Sequence, residues 1–387
     1  MIIDCDSHFM PKDAFDYVDG ALDAKRPILR FDAQDPDVLL GIEFAGAPSQ
    51  VVGTTPLPSP GSGSRFRGNT NIDARLEYYT AMGIEQHFML PQFTGWWSYL
   101  IEPELAGAMA HSLNLAFLRL MGEYPGTIEG VALVALQDVD GAVQELEWAT
   151  ANGFKAAVID HTFPVREHPY GTPTATHRDV WPFFARAAQL NVPLFIHAVQ
   201  HGHRIVNLMN FQVDGLDVFS PRDAQMNLVA LITSGLLDRY PSLQFIHAEM
   251  GARAIKPLAQ RLDGAFKRVA IDYEDDEGGN AASRRVLSLK GPQLVAPEVA
   301  GEKNKLPPSH YFRNNFSWTI ETEEPELVEA VDFLGAERFL FATDYPHDDP
   351  GGMMKFKDVE ILAVNKQISE ADKDSIRNEN ASRLFSR

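Results

Sequence analysis

A (β/α)8 TIM barrel with loop insertions is the fold class this sequence predicts. Three observations point to it. Eight short apolar runs recur along the 387 residues, helical patterns separate them, and polar residues collect where the runs stop. Continuous apolar runs suit strands buried on both faces, and strands alternating with helices build a parallel sheet. A doubly wound open sheet fits the same alternation, and strand count alone does not separate the two.

The strands come in order. IIDCD opens the chain, HFMLP lies at 87–91, GVALVAL at 130–136 and FKAAVID at 154–160. VPLFIHA follows at 192–198, LQFIHAEM at 243–250, FRNNFSWTI at 312–320 and RFLFATDYPH at 338–347. Between them stand helical patterns. IDARLEYYTAMG stops on Gly83, PELAGAMAHSLNLAFLRLMGEYP runs into Pro125, and DVDGAVQELEWATANG starts on an acidic cap candidate and ends at Gly153. RDVWPFFARAAQLN, SPRDAQMNLVALITSGLLDRYP and GARAIKPLAQRLDGAFKRV continue the series. EEPELVEAVDFLGA closes it, with Pro325 placed for a first helical turn. The excess length goes into insertions near 20–71, 199–221 and 272–309 of one domain spanning 1–387. The first holds PLPSPGSGSRFRG, a loop composition suited to a lid, and the third carries the acidic run DYEDDE.

Composition narrows the class of partner. Hydrophobic residues make up 45% and charged residues 22%, enough for a packed core. With 34 basic against 53 acidic residues the net charge is −19, which repels nucleic acid and anionic membranes. Neither is an expected partner. No apolar run reaches the length of a membrane span, and the N-terminus shows no basic region with a cleavage site. The single cysteine, Cys5, excludes an intrachain disulfide and reads as small buried filler. A soluble, cytoplasmic protein is expected.

Barrel active sites form at the C-terminal ends of the strands. Here strand one ends in Asp6-Ser7-His8, strand five in His197, strand six in His247 and strand eight in Asp344. Asp6 and His8 share parity along the strand and point the same way, and Asp4 competes with Asp6 from deeper in the barrel. A buried carboxylate is costly unless paired or bound to a metal, and imidazole with carboxylate suits zinc, manganese or iron.

This set resembles the amidohydrolase superfamily: Asp-x-His ending strand one, a histidine on strands five and six, and the Asp of TDYPH after strand eight. DCDSHFMP, RLDG, ATDYPHDD and NASRLFS support the likeness, which covers nearly the whole chain. It lies nearest the amidohydrolase-related branch of aminocarboxymuconate-semialdehyde decarboxylase and the hydroxybenzoate decarboxylases. The resemblance implies one divalent metal ion, zinc or manganese with iron as a further candidate. Asp6, His8, His197 and Asp344 would hold it, with His247 and Asp344 catalytic. Many superfamily members carry His-x-His on strand one, where this chain has Asp6. Binuclear members bridge two metals with a modified lysine on strand four, whereas this strand ends Val158-Ile159-Asp160-His161, so one metal is expected.

Two reactions follow from one constellation. Non-oxidative decarboxylation of a hydroxyaromatic or unsaturated carboxylic acid is the expectation from the branch. Hydrolysis of an amide, ester, thioester or activated C–C bond by a metal-bound water is the alternative, and a non-catalytic ligand-binding barrel is a third reading. The expected partner is a small carboxylic acid. Trp96 and Trp97 in GWWSYL could sandwich a planar ring, and Arg204 could pair with a carboxylate, with His201, His203 and Arg253 as rivals. His347 is a candidate second contact to the metal ligands. Branch members are often dimers, so a homodimer is expected. The Met- and Phe-rich stretch 105–121 is either its interface or a core-facing helix.

Overall fold

Ile3–Phe9 forms the first strand (β1), and every one of its residues is buried, as its apolar opening predicts. Seven more strands follow: β2 (Gln86–Pro91), β3 (Ile128–Gly130 and Ala132–Val134), β4 (Ala157–Ile159), β5 (Leu194–His197), β6 (Phe245–Ala248), β7 (Phe316–Ile320) and β8 (Phe339–Phe341). These come from a computed structural model that describes residues 1–43, 67–92, 102–160, 162–165, 168–173, 178–197, 220–274, 304–320, 322, 324–346 and 357–386. Each strand pairs parallel to its neighbour in chain order. β3 changes partner at Val131, whose N–H donates to Met89 O at 3.0 Å, while that of Ala132 donates to Ala156 O at 3.0 Å. The ring closes between β8 and β1. There Asp344 N–H donates to Asp6 O at 2.9 Å and His8 N–H to Tyr345 O at 2.7 Å. The architecture is a (β/α)8 barrel, not an open sheet.

A helix follows each strand: α1 (Ile72–Met82), α2 (Pro103–Glu123), α3 (Val139–Ala151), α4 (Trp181–Leu190), α5 (Ser220–Thr233), α6 (Ala252–Glu274), α7 (Leu327–Leu334) and α8 (Asp358–Val364). Gly83 ends α1 in the left-handed region at φ 74°, as its position predicts. On α2, Leu105, Met109, Leu113 and Phe117 are buried, so the stretch 105–121 is core-facing. Some boundaries differ from expectation. Phe312–Asn314 ends a helix instead of starting β7, and α6 extends beyond Val269 to Glu274. Asp138 precedes α3 but its side chain makes no capping bond. Within the 20–71 insertion, Ile28–Phe31 and Leu39–Glu43 form an antiparallel hairpin that a loop reading misses.

Aromatic packing fixes the layers. Phe385 stacks on Phe88 and Phe195 with centroids 4.0 and 6.5 Å apart, filling the barrel interior from the C-terminus. Outside, Phe184 of α4 meets Phe245 at 6.1 Å, and Phe312 meets Trp318 at 5.7 Å. Burying side chains of this size stabilises the fold by about 1.5–3 kcal/mol each. Among the described residues, no helix is long and apolar enough to cross a membrane.

Candidate metal centre

β1 does not alternate evenly. Its pairing with β2 runs Asp4↔His87 and then Ser7↔Met89, three residues against two, so a bulge lies between Asp4 and Ser7. The extra residue resolves the competition between the two acids. Asp4 accepts from Tyr79 Oη of α1 at 2.7 Å and from Thr343 Oγ1 at 2.6 Å, while Ser7 Oγ receives Arg75 of α1 at 2.6 Å. Asp4 and Ser7 therefore share the face toward α1. The shared parity expected of Asp4, Asp6 and His8 fails at the bulge, and only Asp6 and His8 face the mouth.

Four ligand atoms converge there, one each from His8, His197, Glu249 and Asp344, all within 4.8 Å of one another. His8 Nε2 lies 3.1 Å from Asp344 Oδ1, and His197 Nε2 lies 3.4 Å from Glu249 Oε1. The rings of His8 and His197 meet edge-on at 4.7 Å. Nδ1 of His8 is 3.4 Å from the Pro91 carbonyl; the tautomer that donates this proton leaves Nε2 as the ligand nitrogen. Asp6 stands behind the group, its Oδ1 3.7 Å from His197 Nε2. Thr319 Oγ1 donates to its other oxygen at 2.9 Å, while Oδ1 is buried with no hydrogen-bond partner among the described residues.

The electrostatics call for a cation. Burial, then the nearby Asp344 charge, push the Asp6 carboxyl well above the usual carboxylate range. A divalent ion among these groups offsets that cost, and two imidazoles with carboxylates form a donor set for manganese, zinc or iron. The residues present thus fit one metal ion. Cys5 takes no part: it is fully buried, and desolvation raises its thiol well above its ordinary value.

His247 does not join the group. In register it lies beside Ile196 and Trp318, while the next pair in line is His197 and Ala248. His197 faces the mouth, so Ile196 and His247 face the helices. Phe245, two residues earlier on β6, confirms the side by meeting Phe184 of α4. The His247 ring stacks on Trp318, centroids 5.5 Å apart. The expectation that strand six presents its histidine to the mouth is one residue out of phase. Glu249, two residues on and missed by the sequence reading, reaches the centre instead. Arg253, a rival for the substrate, points to solvent at 86% exposure, 3.8 Å from Glu326. Trp96, Trp97, His201, His203, Arg204 and His347 lie outside the described residues.

The model of the family described as Amidohydrolase matches residues 3–387. Gamma-resorcylate decarboxylase of Rhodococcus jostii is 26% identical over 295 residues, 73% of this chain and 78% of that protein. The crystal structure of 2,6-dihydroxybenzoate decarboxylase from Rhizobium superposes with a TM-score of 0.66 at 21% identity, covering 99% of this chain and 98% of that one. That of 5-carboxyvanillate decarboxylase from Novosphingobium aromaticivorans, complexed with manganese and a nitrobenzoic acid, gives 0.71 at 19% identity, covering 100% and 96%. These structural likenesses concern the fold.

Proposed function

This chain belongs to the amidohydrolase family, and we propose that it is a metal-dependent carboxy-lyase acting on a hydroxylated aromatic acid by non-oxidative decarboxylation. The observation that carries the reading is the convergence of His8, His197, Glu249 and Asp344 at the C-terminal mouth of the barrel. The reaction class draws support from relatives named for decarboxylating hydroxybenzoates, and a manganese-bound structure among them supports manganese as the ion. The single buried cysteine accords with a cytoplasmic location.

His8, His197, Asp344 and Asp6 would hold the ion. Bound there, it supplies a positive charge that anchors an anionic acid and stabilises negative charge developing on it. The chain's own residues do the rest. His8 and His197 stand on rigid strand ends, so the donors are preorganised. Thr319 holds Asp6 from β7 and leaves Oδ1 directed at the centre. Asp344, 19% exposed on its side chain, is the carboxyl group placed to carry a proton to the ring carbon bearing the substrate carboxylate. That C–H bond forms, the C–C bond to the carboxylate breaks, carbon dioxide leaves, and the ring regains its aromaticity.

The test is carbon dioxide release from a panel of hydroxybenzoates by manganese-loaded enzyme in deuterium oxide. The reading expects release with one deuteron at the vacated ring carbon. Hydrolysis of an ester or amide panel with no carbon dioxide from any acid would replace it with the hydrolytic reaction.

A further inference from the structure

We propose that Glu249 is the strand-six ligand of this metal centre, and that an anionic substrate binds by displacing it. The inference rests on the metal-centre reading above. A Glu249 oxygen shares the 4.8 Å cluster with atoms of His8, His197 and Asp344, and Oε1 is 3.4 Å from His197 Nε2. The strand register meanwhile turns His247, the residue with the more familiar ligand chemistry, toward Trp318 and the helices.

Among the described residues, three non-glycine residues have positive φ: Asn191, Glu249 and Asp344. Asn191 terminates α4, a common place for left-handed backbone. The other two, at φ 54° and 50°, carry the two partly exposed carboxylates of the cluster. Each sits just past a strand end, where this conformation turns the side chain back over the mouth. Such strain persists where surrounding structure holds it, and it gathers at functional sites.

The three carboxylates are not equivalent. Asp6 is 1% exposed and tied to Thr319, whereas the Glu249 side chain is 25% exposed and lies past the end of β6. Three ionised carboxylates around one divalent ion would more than offset its charge. An aromatic acid approaching that centre meets its own sign. Exchange of one carboxylate for another removes the conflict, and Glu249, at 25% against 19% for Asp344 and 1% for Asp6, is the most exposed of the three.

The experiment compares wild type with Glu249→Gln, which keeps the side-chain volume, and with Glu249→Asp, which shortens its reach. Manganese affinity is titrated by electron paramagnetic resonance without added acid, and salicylate affinity is then measured at saturating manganese. Apo-protein melting checks that each variant folds. Both variants should bind manganese about tenfold or more weakly, and Glu249→Gln should bind salicylate several-fold more tightly. His247→Phe, which keeps a ring on Trp318, should leave manganese affinity within about twofold. Manganese affinity unchanged in both Glu249 variants, or lost in His247→Phe, would overturn the ligand assignment. Weaker manganese with unchanged or weaker salicylate binding would overturn the displacement. Wild type that takes up no manganese would overturn the metal-centre reading itself, a distinguishable failure.

Discussion

Nε2 of His8 lies 3.1 Å from Oδ1 of Asp344 across the seam where the last barrel strand meets the first. The residues are 336 positions apart in sequence (344 − 8), and two backbone hydrogen bonds hold their strands together. If both bind one ion, their removal cannot be additive. His8→Ala and Asp344→Ala should each weaken manganese binding by more than the roughly 10–100-fold typical of losing an outer partner. The double variant should be little worse than either single one. Additive losses in a titration of all three proteins would mean that the two residues act at separate places.

Among the described residues, Thr319 touches the centre through Asp6 Oδ2, at 2.9 Å. Thr319→Val preserves the shape and deletes the donor. The expected loss is about tenfold in manganese affinity, with a change in folding stability of only about 1–3 kcal/mol. Isothermal titration beside urea unfolding separates the two quantities. Undiminished manganese affinity would show that Asp6 needs no steering from β7.

Arg75 is fully buried and ties α1 to the seam. It donates to Ser7 Oγ, to the His8 carbonyl at 2.8 Å and to Tyr79 Oη at 3.1 Å, and Tyr79 passes the link on to Asp4. It also donates to Nδ1 of His87, an imidazole that burial, reinforced by the Arg75 charge, keeps neutral. Arg75→Met leaves Asp4 buried without its nearby positive charge and should cost about 3–5 kcal/mol. Tyr79→Phe, which cuts only the relay, should cost about 1–3 kcal/mol. Denaturant unfolding of the apo-protein orders them. A Tyr79→Phe cost equal to that of Arg75→Met would place the stabilisation in the relay and not in the charge.

His111 offers a pH-dependent contribution away from the centre. Its hydrogen bond to Glu145, at 2.9 Å, raises its pKa against the opposing effect of partial burial. A raised folded-state value means the stabilisation is full below the ordinary histidine range and fades as pH rises through the shifted value. His111→Gln should therefore lower the melting temperature more at pH about 5.5 than at about 8.5. An equal difference at both pH values would show that the pair contributes no charge-dependent stability. The half-exposed ring limits the size of the effect, as for surface pairs in general.

The barrel was legible because parallel strands buried on both faces read as apolar runs, and because alternation with helices constrains topology. Asp6, His8, His197 and Asp344 stood out for the same reason, as polar residues where such runs stop. What stayed hidden depends on phase. The bulge that turns Asp4 toward Tyr79 adds one residue without altering the apolar pattern. His247 reads as a catalytic residue at a strand end, whereas its register sets it beside Trp318. Glu249 reaches the centre from left-handed backbone past the strand, where no periodicity operates. The hairpin at Ile28–Phe31 and Leu39–Glu43 was concealed by the long Pro- and Gly-rich stretch that follows it.

Metal content per chain decides whether the four converging side chains hold an ion. The protein would be purified without chelator or added metal and assayed by elemental mass spectrometry, with His197→Ala beside it. Wild-type protein should carry about one manganese, zinc or iron per chain, and the variant should lose most of it. Wild-type protein that carries none of these, and takes up none when manganese or zinc is supplied, would contradict the metal centre.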